Sequence, residues 1–254
     1  MAGLFDLKGK TAIVTGGAGG IGEALALGIA DAGADVVVTS RNLTKLEVVA
    51  EQIKAKGRKS LALSTDVTDK KSVEDMVDNV LKVFESIDIL VNGAGVAIRK
   101  PADSFPIDEW QTVMDVNVRG TFLCCQAVGR EMIKQESGKI VNISSVRGRY
   151  GLPVGYAAYC PSKGAVDTLT RTLACEWAKH NVLVNAIAPT VVETELTREL
   201  LADVEYAKTM KARIPMGRWA FTEDLVGPCV FFASDASNFV TGQILYIDGG
   251  VTTW

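Results

Sequence analysis

The chain has 254 residues, 48% of them apolar, and a formal net charge of −3 at neutral pH. That length fits one large α/β domain, which at this size buries about three-quarters of its unfolded surface. The mixed-sign charge leaves no basic stripe for nucleic acid, and no apolar run approaches the ~20 residues of a membrane span. The first ten residues, MAGLFDLKGK, include Asp6 and no apolar signal core, so no secretory segment is expected. Five cysteines without a CxxC pair fit a reduced, cytoplasmic setting and read as packing residues. His180 is the only histidine, which leaves neither a metal-ligand cluster nor a Ser-His-acid hydrolase.

In chain order, short β-branched runs alternate with longer periodic segments. Strands are predicted at TAIVT (11–15), DVVVT (35–39), SLALS (60–64), DILVN (88–92), KIVNIS (139–144), VLVNAI (182–187) and ILYID (244–248). Helices are predicted over 22–32, 43–56, 70–85, 110–134, 156–179 and 223–233. Val- and Ile-rich strands with little polar alternation are expected when both sheet faces are covered. The predicted architecture is therefore α/β: a doubly wound, Rossmann-type parallel sheet of seven strands with helices on both faces, one domain over 1–254. From 189 to 221 no strand intervenes. This charged segment leaves the carboxyl end of the sixth strand, where open α/β sheets bind ligands, so it is expected to act as a substrate lid, the alternative being a solvated helix pair.

Between the first strand and first helix lies Thr15-Gly16-Gly17-Ala18-Gly19-Gly20-Ile21-Gly22. Glycine permits close backbone approach there, and the helix N-terminus attracts a pyrophosphate. Two registers fit, Gly17/Gly19/Gly22 as GxGxxG and Gly16/Gly20/Gly22 as GxxxGxG. A NAD site expects an acid at the end of the second strand to hold the ribose hydroxyls. This chain instead reads Val38-Thr39-Ser40-Arg41-Asn42, and the guanidinium of Arg41 suits a 2′-phosphate, so NADP(H) is expected over NAD(H). The alternative is a surface arginine capping the next helix. Asp66, after the third strand, is a candidate partner for the adenine amino group or simply an acidic helix start.

Tyr159 and Lys163 stand four residues apart, on one face of a predicted helix, with Ser145 upstream at the end of the fifth strand. A phenol of pKa about 10 whose pKa is lowered by a neighbouring cation becomes a usable acid and base. Such a group serves hydride transfer, in which a carbonyl oxygen gains negative charge and needs a donor. Ser144 is the alternative serine, but strand alternation sends it to the opposite face. Tyr156 is followed at four residues by Cys160, not by a lysine.

These residues resemble the short-chain dehydrogenase/reductase family over nearly the whole chain. TGGAGGIG at Thr15, Asp66, NGAG at Asn92, Asn117, Ser145, the Tyr159/Lys163 pair and Asp248-Gly249-Gly250 occur in the family's order. The resemblance implies a tetrad. Tyr159 is acid or base, Ser145 bonds the substrate oxygen, Lys163 holds the ribose and lowers the tyrosine pKa, and Asn117 anchors a water relay. It also implies cofactor contacts from Gly16, Gly20, Ile21 and Gly22, from Ser40 and Arg41, and from Asp66 and Val67. Further contacts are implied for Asn92, Ala94, Gly95, Tyr159, Lys163, Pro189, Val192 (backbone) and Thr194 (hydroxyl). A homotetramer follows by the same analogy, with one interface from the helices beginning near Trp110 and Tyr156. Three departures stand out: Gly93 replaces a frequent second asparagine, Thr190 replaces a usual glycine, and the Ser145–Tyr159 spacing is one residue longer than the commonest.

IRKP at Ile98, DEWQTVMDVN at Asp108, CEWAKHN at Cys175 and GQILYIDGG at Gly242 look like the gluconate 5-dehydrogenase and 2-deoxygluconate dehydrogenase subgroup. Arg99, Arg147 and Arg149 lie on connections beyond strand carboxyl ends, where a sugar-acid carboxylate could be held beside Ser145 and Tyr159. The expected reaction is thus oxidation of a secondary alcohol, or reduction of a ketone, on a small-molecule polyol or sugar acid. A 3-oxoacyl thioester or cyclic ketone is the alternative substrate. A non-catalytic nucleotide sensor is the remaining one, against which stands the retained Tyr/Lys pair. Trp219 is placed either over the substrate or in a seam between lid and core.

Overall fold

The computed structural model describes residues 2–153 and 155–253. Seven parallel strands form one sheet in the order β3-β2-β1-β4-β5-β6-β7. They are β1 (Thr11–Thr15), β2 (Asp35–Ser40), β3 (Ser60–Ser64), β4 (Ile89–Asn92), β5 (Gly138–Ile143), β6 (Val182–Pro189) and β7 (Ile244–Ile247). The helices are α1 (Gly20–Asp31), α2 (Leu43–Ala55), α3 (Lys70–Leu81), α4 (Ile107–Met114), α5 (Thr121–Lys134), α6 (Tyr159–Trp177), α7 (Glu195–Ala202), α8 (Val204–Ala212) and α9 (Val226–Ala233).

Side-chain alternation builds a core on each face. Ala12, Val14, Val36 and Val38 pack with Leu25 and Ile29 of α1, Leu46 and Ile53 of α2, and Phe232 of α9. Ile13, Val37 and Leu90 point the other way, into Val73 and Val77 of α3, Val128 of α5 and Leu173 of α6. Each fully buried side chain of this size contributes about 1.5–3 kcal/mol. Strand order reverses beside β1, where β1 pairs with both β2 and β4, and the crevice opens at the carboxyl ends there.

Several boundaries differ from the sequence reading, and three of them have a tertiary reason. β6 runs on to Pro189 because that residue still aligns with Ile247 of β7. α6 starts at Tyr159 rather than 156, since Tyr156 is held in a bridge with Lys100. The predicted helix over 110–134 begins at Ile107 and loosens into a π-helical stretch at Asp115–Gly120, which lifts Asn117 out of the ordinary spacing. Within 189–221 lie α7 and α8. Their flanks are pinned together by Val192 against Ala220, with Glu193 N donating to Ala220 O at 2.8 Å. Among the described residues no helix is long and apolar enough to cross a membrane.

Candidate active site

The glycine turn selects one of its two registers. Gly16 and Gly20 have φ of +72° and +57°, a region side chains rarely adopt, and a Cβ at Gly22 would collide with the Gly16 carbonyl oxygen. Gly19 has φ 164°, extended backbone open to any residue. The positions at which the turn requires glycine are therefore Gly16, Gly20 and Gly22. Their counterpart is Gly93: a Cβ on Gly16 would lie 2.7 Å from Gly93 O, and a Cβ on Gly93 2.6 Å from Thr15 O. The departure at Gly93 thus sits where two backbones touch. Ala94 N donates to Thr15 Oγ1 at 3.2 Å and closes the same seam.

A cavity of about 500 Å3 opens beside this turn. Its walls bring together Ile21 from α1, Gly93 and Gly95 after β4, Ser145 after β5, and Tyr159 and Lys163 from α6. Pro189, Val192 and Thr194 close it after β6. Ser145 is extended and its hydroxyl oxygen accepts from Arg147 N at 3.2 Å. Ser144 instead turns its hydroxyl to the carboxylate of Asp167. Lys163 Nζ donates to Ile143 O at 2.7 Å and lies 5.7 Å from the Tyr159 ring centroid.

The electrostatics differ from the expectation that Lys163 depresses the tyrosine. Burial pushes the Tyr159 phenol up, opposed first by the Ser145 hydroxyl and then, after the smaller raising influences of Tyr156 and Cys160, by the charge of Arg147. Lys163 is itself driven down to about 8 by burial, with the charge of Asp167 working against the shift. Lys163 is thus a desolvated cation that spends one of its three N–H groups on the Ile143 carbonyl.

Several predicted contacts take other partners. Asn117 Oδ1 accepts from Val96 N at 2.8 Å, while Nδ2 donates to Val96 O at 2.9 Å and Ser162 Oγ at 3.0 Å. Its side chain therefore splints the connection after β4 to α6, rather than reaching the cavity. Asn92 aligns with Asn142 across β4 and β5, so its amide shares that face and donates to Asn142 Oδ1 at 2.8 Å, inside the helix layer. Asn92 itself is not part of the cavity wall, which begins at Gly93. Thr194 lines the cavity, but its hydroxyl lies 3.1 Å from Thr197 Oγ1, which also donates to Val192 O at 2.6 Å. Thr197 thus engages both groups assigned to the cofactor.

Ser40, Arg41, Asp66 and Val67 stand at the carboxyl ends of β2 and β3, outside this cavity wall. Arg41 is exposed, and Ser40 Oγ accepts from Asn42 N at 3.1 Å. The Asp66 carboxyl accepts from Thr68 N and Oγ1, which hold it below the usual carboxylate range, with Arg41 adding a smaller pull. Val67 packs under Gly120 of the π-helical stretch.

The three arginines separate. Arg147 is 9% exposed and lines the cavity, its guanidinium carbon 4.9 Å from the Tyr150 ring centroid. Arg99 lines it from the exposed side, over the Tyr156 ring. Arg149 does not belong to the wall: the short turn Val146–Gly148 sends it outward onto Tyr246 of β7. Trp219 is not part of the cavity wall and packs within the lid segment itself, donating Nε1 to Glu193 Oε2 at 2.8 Å beneath Lys211. The sequence reading missed Tyr206 and Thr197 as cavity residues and dismissed Tyr156, which lines the wall edge-on to Tyr159. For Tyr206, an aromatic within the charged lid segment was the available signal.

A dinucleotide crevice whose floor carries a tyrosine, a lysine and a serine defines a nicotinamide-dependent oxidoreductase of secondary alcohols and ketones. Comparison with known proteins makes the class particular. A family profile described as "Enoyl-(Acyl carrier protein) reductase" matches residues 16–252. The gluconate 5-dehydrogenase of Gluconobacter oxydans (strain 621H) is 43% identical over 249 residues, 98% of this chain and 97% of the relative. The NAD-dependent glycerol dehydrogenase of Listeria innocua is 42% identical, covering 98% and 96%. A gluconate 5-dehydrogenase from Burkholderia cenocepacia J2315, solved in complex with NADP and tartrate, superposes with a TM-score of 0.96 at 40% identity, covering 100% and 99%. The chain belongs to the short-chain dehydrogenase/reductase family.

Proposed function

We propose that the protein interconverts the secondary hydroxyl and the ketone of a sugar acid, using NADP(H) in preference to NAD(H). Arg147 is the observation that carries the substrate reading. A buried guanidinium is costly unless an anion faces it, and among the described residues no carboxylate lies within ion-pair distance of this one. A substrate carboxylate supplies that anion, and Arg99 supplies a second cation at the rim. An apolar ketone or acyl thioester leaves Arg147 unpaired. Relatives named for gluconate, and the hydroxy acid tartrate in the Burkholderia structure, point the same way.

The cradle fits a dinucleotide: Gly16, Gly20 and Gly22 leave room for a pyrophosphate at the N-terminus of α1. Ile21, Ala94, Gly95, Pro189 and Val192 would flank it, with the backbone of Asn92 behind. Ser40 and Arg41 would meet a 2′-phosphate, and Asp66 with Val67 the adenine end. The nicotinamide, when bound, supplies or accepts the hydride. Tyr159 Oη gives a proton to the carbonyl oxygen in reduction and removes it in oxidation, and Ser145 Oγ holds that oxygen. Lys163 places its positive charge beside Tyr159 and toward the ribose. Asn117 fixes the walls that bear these groups. Because burial keeps the phenol protonated at neutral pH, the reductive direction is ready there, while oxidation gains as pH rises.

The segment 189–221 serves as the substrate lid; Val192, Thr194, Thr197 and Tyr206 present it to the cavity. A cytoplasmic homotetramer completes the reading. The cysteines among the described residues are all free, and Ile107 of α4 and Phe122 of α5 leave apolar surface exposed on the helices expected to pair. Tyr159→Phe tests the chemistry. Turnover should fall at least ~100-fold, the usual worth of positioned proton transfer, with cofactor binding little changed. Turnover within tenfold of the parent would contradict the assignment.

A further inference from the structure

The face of α6 that carries Tyr159 and Lys163 carries a third polar group at the same spacing. Asp167 follows Lys163 by four residues, as Lys163 follows Tyr159, so the three stack along one side of the helix. Asp167 is 3% exposed. A carboxylate in such a place is costly unless it is hydrogen-bonded or faces a cation. Here the Ser144 hydroxyl donates to Oδ1 at 2.5 Å, and Gly148 packs so close that a Cβ there would lie 2.5 Å from Oδ2. The backbone after β5 is thus shaped around this acid, and the proton transfer described above gives it no part.

We propose that Asp167 is a positioning residue for the reaction. Its buried carboxylate keeps the Lys163 ammonium charged next to Tyr159, and through Ser144 it pins the end of β5 from which Ser145 projects. The inference rests on the roles given above to Tyr159 and Lys163. It goes beyond them by assigning the charge that stands behind the lysine.

The groups facing Asp167 come from four elements. Ser144 faces it from the end of β5 and Gly148 from the turn beyond. Lys163 and Arg171 belong to α6 itself. Tyr246 comes from β7, with Arg149 over its ring. Burial pushes the Asp167 carboxyl up, opposed by the Ser144 hydroxyl and then by Arg171 and Lys163. On the other side, burial drives Lys163 down to about 8 while Asp167 holds it up. Removing the carboxylate charge removes the support and leaves the burial. Lys163 then loses its proton at lower pH, and with it the cation beside the phenol.

Asp167→Asn keeps the size and the acceptor for Ser144 but removes the charge. In the full-length enzyme, the alkaline limb of kcat/KM for ketone reduction should move down by about one pH unit, the scale of effect expected when one nearby opposite charge is removed. The KM for NADPH should rise along the same limb. A profile parallel to that of the parent, lowered uniformly, would overturn the proposal, because a merely structural defect scales all pH values alike. A second measurement needs no turnover. In urea unfolding, Lys163→Met should recover much of the stability lost in Asp167→Asn, since removing two buried charges of opposite sign costs less than leaving one of them alone. A double variant no more stable than Asp167→Asn alone would overturn it as well, including the case where Asp167→Asn does not fold. This coupling is read without substrate, so it stands or falls separately from the outcome for Tyr159→Phe.

Discussion

At the residue scale, Arg147 and Arg149 show what two positions in one turn can hide. Both follow Ser145 on the same loop, and the sequence gives them equal claim to a substrate carboxylate. The short turn Val146–Gly148 buries the first in the cavity wall and sends the second onto Tyr246. Arg147→Gln should raise KM for a keto acid by about 10- to 100-fold, the range for a lost charge-assisted hydrogen bond. A neutral ketose of similar size should be little affected, and thermal stability should not fall, because an uncompensated buried cation is removed. Equal losses on both substrates would contradict the carboxylate role. That Ser145, Tyr159 and Lys163 face one cavity was legible because strand alternation and helical spacing fix their direction. The place of Asn92 was not: cross-strand register gives its amide to Asn142, and the cavity wall begins at Gly93.

At the scale of elements, the strands were readable from β-branched runs, and their order along the chain gave the parallel, doubly wound sheet. The ends were less so, because tertiary contacts set them: Tyr156 bridges Lys100 and delays α6, and β7 prolongs β6. The π-helical stretch carries no signature in apolar spacing, so the bonds by which the Asn117 amide ties Val96 to Ser162 could not be read from the sequence. The link from β2 to α2 carries Asn42 and Arg41. Asn42 caps α2 by accepting from Lys45 N, which frees the exposed Arg41 from a capping role. Arg41→Asp should move the ratio of kcat/KM for NADPH over NADH toward NADH by about tenfold, the low end for a charge-assisted contact in solvent. An unchanged ratio would remove Arg41 from 2′-phosphate recognition.

At the scale of the whole molecule, the two apolar layers account for the fold, and what they leave uncovered points to assembly. β7 is an edge strand with Leu245 exposed, and Phe239 beside it is fully exposed; unpaired sheet edges are usually covered. Sedimentation velocity should give a species of four chains, and a monomer at micromolar concentration would contradict the assembly. In the function proposed, one cavity joins a proton-transferring tyrosine to a buried arginine without an ion pair among the described residues, and so selects anionic ketones. The direct test is the initial rate of NADPH oxidation by the native protein with a six-carbon keto acid and with the neutral ketose of the same length. The account predicts kcat/KM at least about tenfold higher for the keto acid, as one charge-assisted contact requires. Equal or higher values for the neutral ketose would contradict it.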